Sequence, residues 1–337
     1  MSLYTSSSDL ADAPEWGRWL GVFLGALALG AAIVFAFVLA VDPYDSGRVG
    51  ILGIRGVNDA SPRTANASRA RDPQFDSAVI GNSTGQLLKP GELSGLTGKS
   101  FVQLAVPGTG PREQLAIIDF FVRQHPQVGG LVIVTDGSWC QRDPALPMQH
   151  PFPFWLYGES KLDYIGRLFS TRALRLASRR IMVGLGLRPR SAPDGYWDYE
   201  KEGPAELAPV IESHGDGGPV PAEVNQNFPA VALLDGAIRK LPPDVPVVLL
   251  VPPSFASTLP RPGTLAAAEA HACNAALGKL VADRSRSNFI NYRVDNALTR
   301  DRANFMDLGH YRAVIARRME RGIAESIRLG GHAKIEF

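Results

Sequence analysis

The sequence predicts an α/β domain with a parallel sheet, carried by one N-terminal transmembrane helix. Two observations predict it. Five short runs rich in Val, Ile and Leu alternate with segments of helical periodicity, and a long uncharged apolar stretch precedes them all. Strands that helices cover on both faces have such continuous apolar runs. The runs are Phe75–Gly81, Ser100–Val106, Gly130–Asp136, Val245–Val251 and Asn288–Val294.

Helical segments lie between these runs. In one of them, Leu115, Ile118 and Phe121 recur at the three- and four-residue spacing that places side chains on one face of a helix. The predicted helices are Arg112–Gln124, Val231–Lys240, Thr264–Arg284 and Tyr311–Leu329. We therefore expect a three-layer α/β/α sandwich with about five parallel strands.

Residues 19–41 contain no charged side chain. A run of about 20 apolar residues spans the hydrocarbon core of a bilayer, so this segment predicts a transmembrane helix. Trp16, Trp19 and Tyr44 flank it as anchors at the membrane interfaces. The domain organisation expected is a cytoplasmic tail (1–18), the helix (19–41), a linker (42–74) and the α/β domain (75–337).

The sequence also bears on whether this apolar segment is cleaved and on which side of the membrane the domain lies. Val38-Leu39-Ala40 resembles a signal-peptide cleavage site, but the apolar run exceeds the 7–15 residues usual for a signal peptide, which favours a retained anchor. Arg18 precedes the segment, whereas Arg48 and Arg55 follow it, so the positive-inside count leans weakly against an external domain. Large domains translocate regardless of so small a bias.

Residues 137–230 interrupt the alternation of strands and helices, and we call them the insertion. Aromatic residues and prolines cluster in 150–158, and a helical segment rich in arginine follows over 161–187. Such a basic helix either lies on an anionic membrane or polymer or presents a solvated face, and the second interpretation is slightly favoured. We expect the insertion to form a cap beside the functional site.

Composition and cysteine usage exclude several classes of protein. The formal net charge is +2, and the chain carries no nucleic-acid-binding motif, so no nucleic-acid partner is expected. Its two cysteines, Cys140 and Cys273, form no CxxC pair and no cluster with the six scattered histidines. No metal site and no cofactor are expected. A disulfide and two buried thiols are equally compatible with the sequence.

Three short motifs carry candidate chemistry. Gly81-Asn82-Ser83-Thr84 follows the first strand, and the carboxyl end of a parallel strand is where such sheets bind ligands. A glycine loop with Gly108 and Gly110 follows the second strand, where backbone N–H groups can face an oxyanion. Asp307 and His310 precede the last helix and can act as a base and its orienting carboxylate. Each motif alone is more typical of an ordinary turn, loop or helix cap than of a catalytic site.

Together and in this order, the motifs resemble those of the SGNH (GDSL-like) hydrolase superfamily. Its first block, usually Gly-Asp-Ser, corresponds to Gly81-Asn82-Ser83, and its last block, Asp-x-x-His, corresponds to 307–310. The resemblance implies a flavodoxin-like strand order and a site without metal or cofactor. In that site Ser83 is the nucleophile, His310 the base and Asp307 its orienting partner. The expected oxyanion or substrate-binding residues are Thr84, Gly108, Gly110 and Ser138.

The chain departs from the family pattern at two places. Asn82 replaces the usual Asp, and the third block has Thr135-Asp136-Gly137-Ser138 where Gly-x-Asn is usual. Ser138 or a backbone N–H then has to serve as the oxyanion donor, or the oxyanion hole is incomplete.

The nearest resemblance is to membrane-anchored SGNH-like proteins of bacterial polysaccharide acetylation and cell-wall modification. It implies a serine esterase or O-acyltransferase on the periplasmic side of the bacterial inner membrane, acting on acyl esters of a surface glycan or lipid. Membrane O-acyltransferase or polysaccharide-export proteins are the partners implied. Two alternatives remain: a catalytically inactive binding or assembly protein, and a structural membrane protein whose domain docks partners.

Overall fold

A computed structural model describes residues 13–202, 220 and 223–330. Its centre is a five-stranded sheet in which all strands are parallel, in the order β2-β1-β3-β4-β5. The strands are β1 (Ser77–Ile80), β2 (Phe101–Gln103), β3 (Gly130–Val134), β4 (Val247–Val251) and β5 (Asn288–Asn291). Each lies within one of the five predicted runs. The predicted fold class and strand order are confirmed.

Helices cover both faces of the sheet, which explains the continuous apolar runs. Every residue of β1 to β4 is buried, and side chains alternate between two cores. Ala78 and Ile80 belong to one core and Val79 to the other. On the first face pack α4 (Pro111–Gln124), α8 (Pro229–Ile238) and α9 (Leu265–Val281); on the second pack α3 (Pro90–Thr97) and α11 (Ala313–Leu329).

The remaining helices surround this sandwich. They are α1 (Ala13–Val41), α2 (Pro62–Ala70), α5 (Phe154–Tyr157), α6 (Lys161–Leu168), α7 (Thr171–Gly184) and α10 (Ala297–Arg300). The basic segment predicted as one helix over 161–187 is therefore two helices. The break falls at Phe169 and Ser170, because the Ser170 side chain accepts a hydrogen bond from the backbone N–H of Ala173 and starts α7.

The N-terminal helix α1 is long and apolar enough to span a membrane. Its span from Trp16 to Val41 has 26 residues, and an 18-residue window within it has a mean hydropathy of 2.7. Most of its side chains are exposed, but Val38 and Val41 in its last turn belong to the core of the domain. Residues 1–12 of the predicted cytoplasmic tail lie outside the described residues.

The segment 42–74 differs from the linker that its composition suggested, because it packs against the domain. Asp45 is buried, and its carboxylate pairs with Arg180 of α7 at 2.6 Å and with Arg71 at 3.0 Å. The same carboxylate accepts a hydrogen bond from the Ser68 hydroxyl at 2.8 Å. The Arg180 partner lies 135 residues further along the chain, so local composition could not reveal the pairing.

Cys140 and Cys273 form a disulfide, which decides between the two interpretations left open by the sequence. Cys140 ends the short turn Gly137–Cys140 that follows β3, and Cys273 is buried on α9. The bond therefore ties the turn at the carboxyl end of β3 to a helix that packs on the sheet.

We predict that removing this disulfide lowers stability. It closes a loop of 133 residues, and disulfides of this kind typically contribute about 2–4 kcal/mol by restricting the unfolded chain. Thermal unfolding of the full chain in detergent should show a lower Tm for the Cys140→Ala/Cys273→Ala variant than for the wild type. A reductant should lower the Tm of the wild type and leave the Tm of the variant unchanged. Equal Tm values for the two proteins would contradict the prediction.

Glu320 of α11 is a buried carboxyl group that joins α11 to the start of α3. Only 1% of it is exposed, and its Oε1 accepts from the Lys89 backbone N–H at 2.6 Å and lies 2.9 Å from Arg317. Burial raises its pKa from 4.5 to about 7, although the Lys89 N–H and the Arg317 charge oppose this shift. Because the folded-state pKa is the higher one, folding is favoured most below pH 4.5, and this stability is lost as pH rises to 7.

We predict that Glu320→Gln flattens this part of the pH profile of stability. The pKa shift corresponds to about 3 kcal/mol at pH 7. The Tm of the wild type should therefore fall more between pH 5 and pH 7 than that of Glu320→Gln. Glu159→Gln, at an exposed carboxylate that pairs with Arg123, is the control and should keep the wild-type profile. Parallel profiles for wild type and Glu320→Gln would refute the assignment.

Candidate active site

The turn after β1 presents Ser83 at the carboxyl edge of the sheet. Gly81 has to be glycine, because a Cβ there would meet the Val134 Cβ of the neighbouring strand at 2.7 Å. The chain then enters the short 3₁₀ turn Ser83–Gly85, which the Asn82 side chain caps by accepting from the Thr84 N–H at 3.0 Å and from its hydroxyl at 2.8 Å. The geometry of this turn thus depends on Asn82.

Asp136 holds Asn82 from the end of the adjacent strand β3. The Asn82 amide donates a hydrogen bond to Asp136 Oδ2, and Asp136 Oδ1 accepts from the Ser138 N–H at 2.8 Å and from its hydroxyl. The family pattern has Asp in the first block and Asn in the third, whereas here Asn is in the first block and Asp in the third. Both departures are visible in the sequence, but only the structure shows that the Asn82 and Asp136 side chains bond to each other.

Asp307 and His310 come together in the loop before α11. The Asp307 Oδ1 accepts from the backbone N–H groups of Gly309 and His310, both at 2.8 Å, and its Oδ2 lies 2.8 Å from His310 Nδ1. Partial burial raises the pKa of Asp307, but the hydrogen bonds from Gly309 and His310 outweigh it, so the net pKa lies below its usual value. The carboxylate is therefore ionised at neutral pH and holds the Nδ1–H tautomer of His310.

The structure brings all three predicted catalytic residues together. Ser83 Oγ lies 2.9 Å from His310 Nε2, on the opposite side of the ring from Asp307. With the proton on Nδ1, the Nε2 lone pair faces the serine hydroxyl and can accept its proton. Ser83 and His310 are 227 residues apart in sequence, and the ends of β1 and the loop before α11 supply them. This is the geometry of an activated serine nucleophile.

The predicted oxyanion residues are not equivalent. The backbone N–H of Thr84 donates to Asn82, that of Gly110 to Glu113 Oε2 at 3.1 Å, and that of Ser138 to Asp136. The Ser138 hydroxyl also bonds to Asp136. These three residues build turns, so their N–H groups are not available to a substrate in this arrangement.

Ser83 and Gly108 retain N–H groups that can serve as oxyanion donors. Within the described ranges, neither backbone N–H donates to a protein acceptor. The Gly108 loop packs on the nucleophile turn, because the Val106 N–H donates to the Gly81 carbonyl at 2.9 Å. Gly108 has a φ of +63°, and a Cβ there would meet the His150 ring at 2.7 Å, so the site requires glycine.

Two parts of the insertion lie beside this site: His150 and the segment around Tyr199. The Tyr199 ring stands edge-to-face to the His310 ring with centroids 6.1 Å apart. Glu200 fixes this segment, since its carboxylate accepts from the Ala313 N–H at 2.6 Å and pairs with Arg312 at 3.0 Å. Burial raises the pKa of Tyr199, and the charge of Asp307 adds to that rise. The insertion lies beside the site, as predicted, but no sequence motif marks Tyr199 as part of it.

A cavity of about 220 Å³ lies next to the triad, at the carboxyl ends of β3 and β4. Thr84 and Gly309, neighbours of Ser83 and His310 in sequence, reach its lining. Arg293 also reaches it from the loop after β5; burial lowers the pKa of Arg293, and the charge of Asp136 opposes this. The remaining lining residues are Thr135, Asp136, Val251, Pro252, Ser254, Thr258 and Leu308. Among the described residues, no group of three His, Cys, Asp or Glu side chains is placed to hold a metal ion.

We predict that exchanging the residues at positions 82 and 136 is tolerated, whereas placing Asp at both positions lowers stability. Asn82→Asp would place two carboxylates in contact, losing a hydrogen bond and adding repulsion, at a cost of about 1–3 kcal/mol. Asn82→Asp/Asp136→Asn restores one donor and one charged acceptor, so its Tm should exceed that of Asn82→Asp. Thermal unfolding of wild type, both single variants and the double variant measures the coupling. Additive changes in Tm would show that the pair does not interact.

Comparison with known proteins adds no identification. No protein-family model matches the chain, and no curated protein is significantly similar to it. The likeness to the SGNH superfamily therefore rests on the three motifs, on the strand order and on the contacts among Ser83, His310 and Asp307.

Proposed function

We propose that this chain is a membrane-anchored, extracytoplasmic SGNH-like serine esterase or O-acyltransferase that acts on acyl esters of a surface glycan or lipid. The observation that carries the proposal is the continuous contact from Ser83 Oγ to His310 Nε2 and from His310 Nδ1 to Asp307. In this arrangement a carboxylate bonds to one ring nitrogen of His310 and a serine hydroxyl bonds to the other. An ordinary turn or helix cap does not require it.

The chemistry proceeds in two acyl transfers. Ser83 Oγ attacks the ester carbonyl while His310 Nε2 takes its proton, which gives a tetrahedral oxyanion. The oxyanion collapses, the alcohol leaves with the proton from His310, and the acyl group stays on Ser83 as an ester. Water or a sugar hydroxyl then attacks this acyl-serine, again losing its proton to His310, and Ser83 is released with its own proton restored. Asp307 stabilises the imidazolium in each half-reaction.

Ser83 and Gly108 are the proposed oxyanion donors. Each has a backbone N–H with no protein acceptor among the described residues, and hydrogen bonds hold their two loops together. Loss of one such donor typically lowers the rate by about 10²–10³. Backbone donors do not depend on the side chain after β3, so the missing third-block Asn does not by itself exclude catalysis.

The anchor and the disulfide support the proposed location. The helix α1 is apolar over the length of a membrane span, and disulfides persist in oxidising compartments such as the periplasm. A domain held at a membrane surface meets acyl esters of lipids, of lipid-linked saccharides and of surface glycans. A membrane O-acyltransferase is the kind of partner that would supply acyl groups to such a domain.

A second candidate is an SGNH-fold binding or assembly protein without activity. The favouring observation is that the turn after β3 contains no Asn, and that the Asp136 carboxylate in this turn is occupied by Asn82 and Ser138. In that case the serine would lack full transition-state stabilisation.

Labelling with a fluorophosphonate tests the proposal without knowledge of the substrate. The full chain in detergent is expected to form one adduct, mapped by mass spectrometry to Ser83. His310→Ala should abolish labelling, and Asp307→Asn should slow it about 10³–10⁴-fold because the wrong tautomer of His310 is favoured. Ser254→Ala, at another serine near the site, is the control and should label at the wild-type rate. Folded wild-type protein without an adduct on Ser83 would favour the inactive alternative.

A further inference from the structure

Four exposed apolar side chains surround the end of α1, and we call them the collar: Ile51, Leu52, Phe169 and Leu174. Ile51 is 84% and Phe169 is 71% exposed, and a group of exposed apolar side chains in one place is typical of a surface that contacts a protein or a membrane. They come from the loop after α1 and from the α6–α7 hairpin, so segments far apart in sequence converge on one place.

Each member of the collar is tied to the last turns of α1. The Phe169 ring packs edge-to-face on the Phe35 ring with centroids 5.9 Å apart. Leu174 lines, together with α1 residues, an apolar groove of about 330 Å³. The Ile51 N–H donates to the Ala40 carbonyl at 2.9 Å, and Leu52 lines a cavity with Val41.

The length of α1 sets the depth of these contacts. Its span of 26 residues is about 39 Å long at 1.5 Å per residue, whereas the hydrocarbon core of a bilayer is about 30 Å thick. If the aromatic pair Trp16 and Trp19 lies at the first interface, the hydrocarbon extends to about residue 38. Phe35 is then inside it, and Phe169 lies at the same depth.

The charges on α7 fit the same placement. Arg175 is exposed beside Leu174, and Arg179 follows one turn later. Neither forms an ion pair in the part of the chain that the structure describes, whereas Arg172 and Arg180 pair with Asp59 and Asp45. Guanidinium groups next to apolar side chains are typical of helices that lie in a lipid headgroup layer.

We propose that the collar is inserted into the lipid layer around α1, as a second membrane contact that holds the domain in one orientation. Its partner is the bilayer itself, with acyl chains against Phe169 and Ile51 and headgroup phosphates near Arg175. This goes beyond the proposed activity and rests on α1 spanning the membrane. Because Val38 and Val41 are in the core of the domain and 42–74 packs on it, the domain does not hang from a flexible tether.

Spin labels in lipid nanodiscs test this placement in the full chain. The native cysteines are joined in a disulfide, so a single introduced cysteine takes the label. Phe169→Cys and Ile51→Cys report on the collar, and both positions are too exposed for substitution to unfold the domain. Leu27→Cys, within α1, is the reference for lipid. Leu96→Cys is the matched control, since Leu96 is 43% exposed on α3, which packs on the other face of the sheet.

Relative collision rates with oxygen and with a water-soluble nickel complex give the depth of each label. Labels at 169, 51 and 27 are expected to favour oxygen, whereas the label at 96 favours nickel. Water-like values at 169 and 51 would overturn the proposal and show that the collar faces solvent or awaits a protein partner. A water-like value at 27 would overturn it as well, because α1 would then not cross the bilayer.

Discussion

The hydrogen bond between the Asn82 amide and the Asp136 carboxylate joins the carboxyl ends of two neighbouring strands, and the candidate site depends on it. Asn82 caps the turn that presents Ser83, while Asp136 organises the turn that the disulfide ties to α9. A parallel sheet brings strand ends to one edge, but it does not set the direction of a side chain there. In this chain, the hydrogen bond between Asn82 and Asp136 sets the direction of both side chains.

A second constraint lies where α1 meets the domain. The buried Asp45–Arg180 pair connects the segment after α1 to α7, and the last turn of α1 is part of the core. A buried charge left without its partner is costly, so the ends of this pair are held together. The end of α1 and the domain are thereby one packed unit. An esterase or transferase built this way would present its site at a constant height above the lipid.

The sequence predicted the parts of the fold that local pattern determines. The five apolar runs and the helices before and after them were found because burial on both faces of a sheet leaves a continuous signal. The contact among Ser83, His310 and Asp307 was predictable because these residues follow a strand end or precede a helix in a recognisable order. The packing of 42–74 and the Asn82–Asp136 bond were not found, since each joins residues that are far apart in sequence. Periodicity could not reveal the break at Phe169 either, because helical spacing continues through it and only the Ser170 side-chain cap marks the start of α7.

Trapping of the acyl-enzyme is the most direct test of whether Ser83 is a nucleophile that His310 activates. The full chain would be incubated with p-nitrophenyl acetate, quenched in acid and digested, and the peptide containing Ser83 examined by mass spectrometry. We expect one acetyl group on Ser83 in the wild type and none in His310→Ala. An unmodified Ser83 in folded wild-type protein, or equal acetylation in His310→Ala, would contradict it.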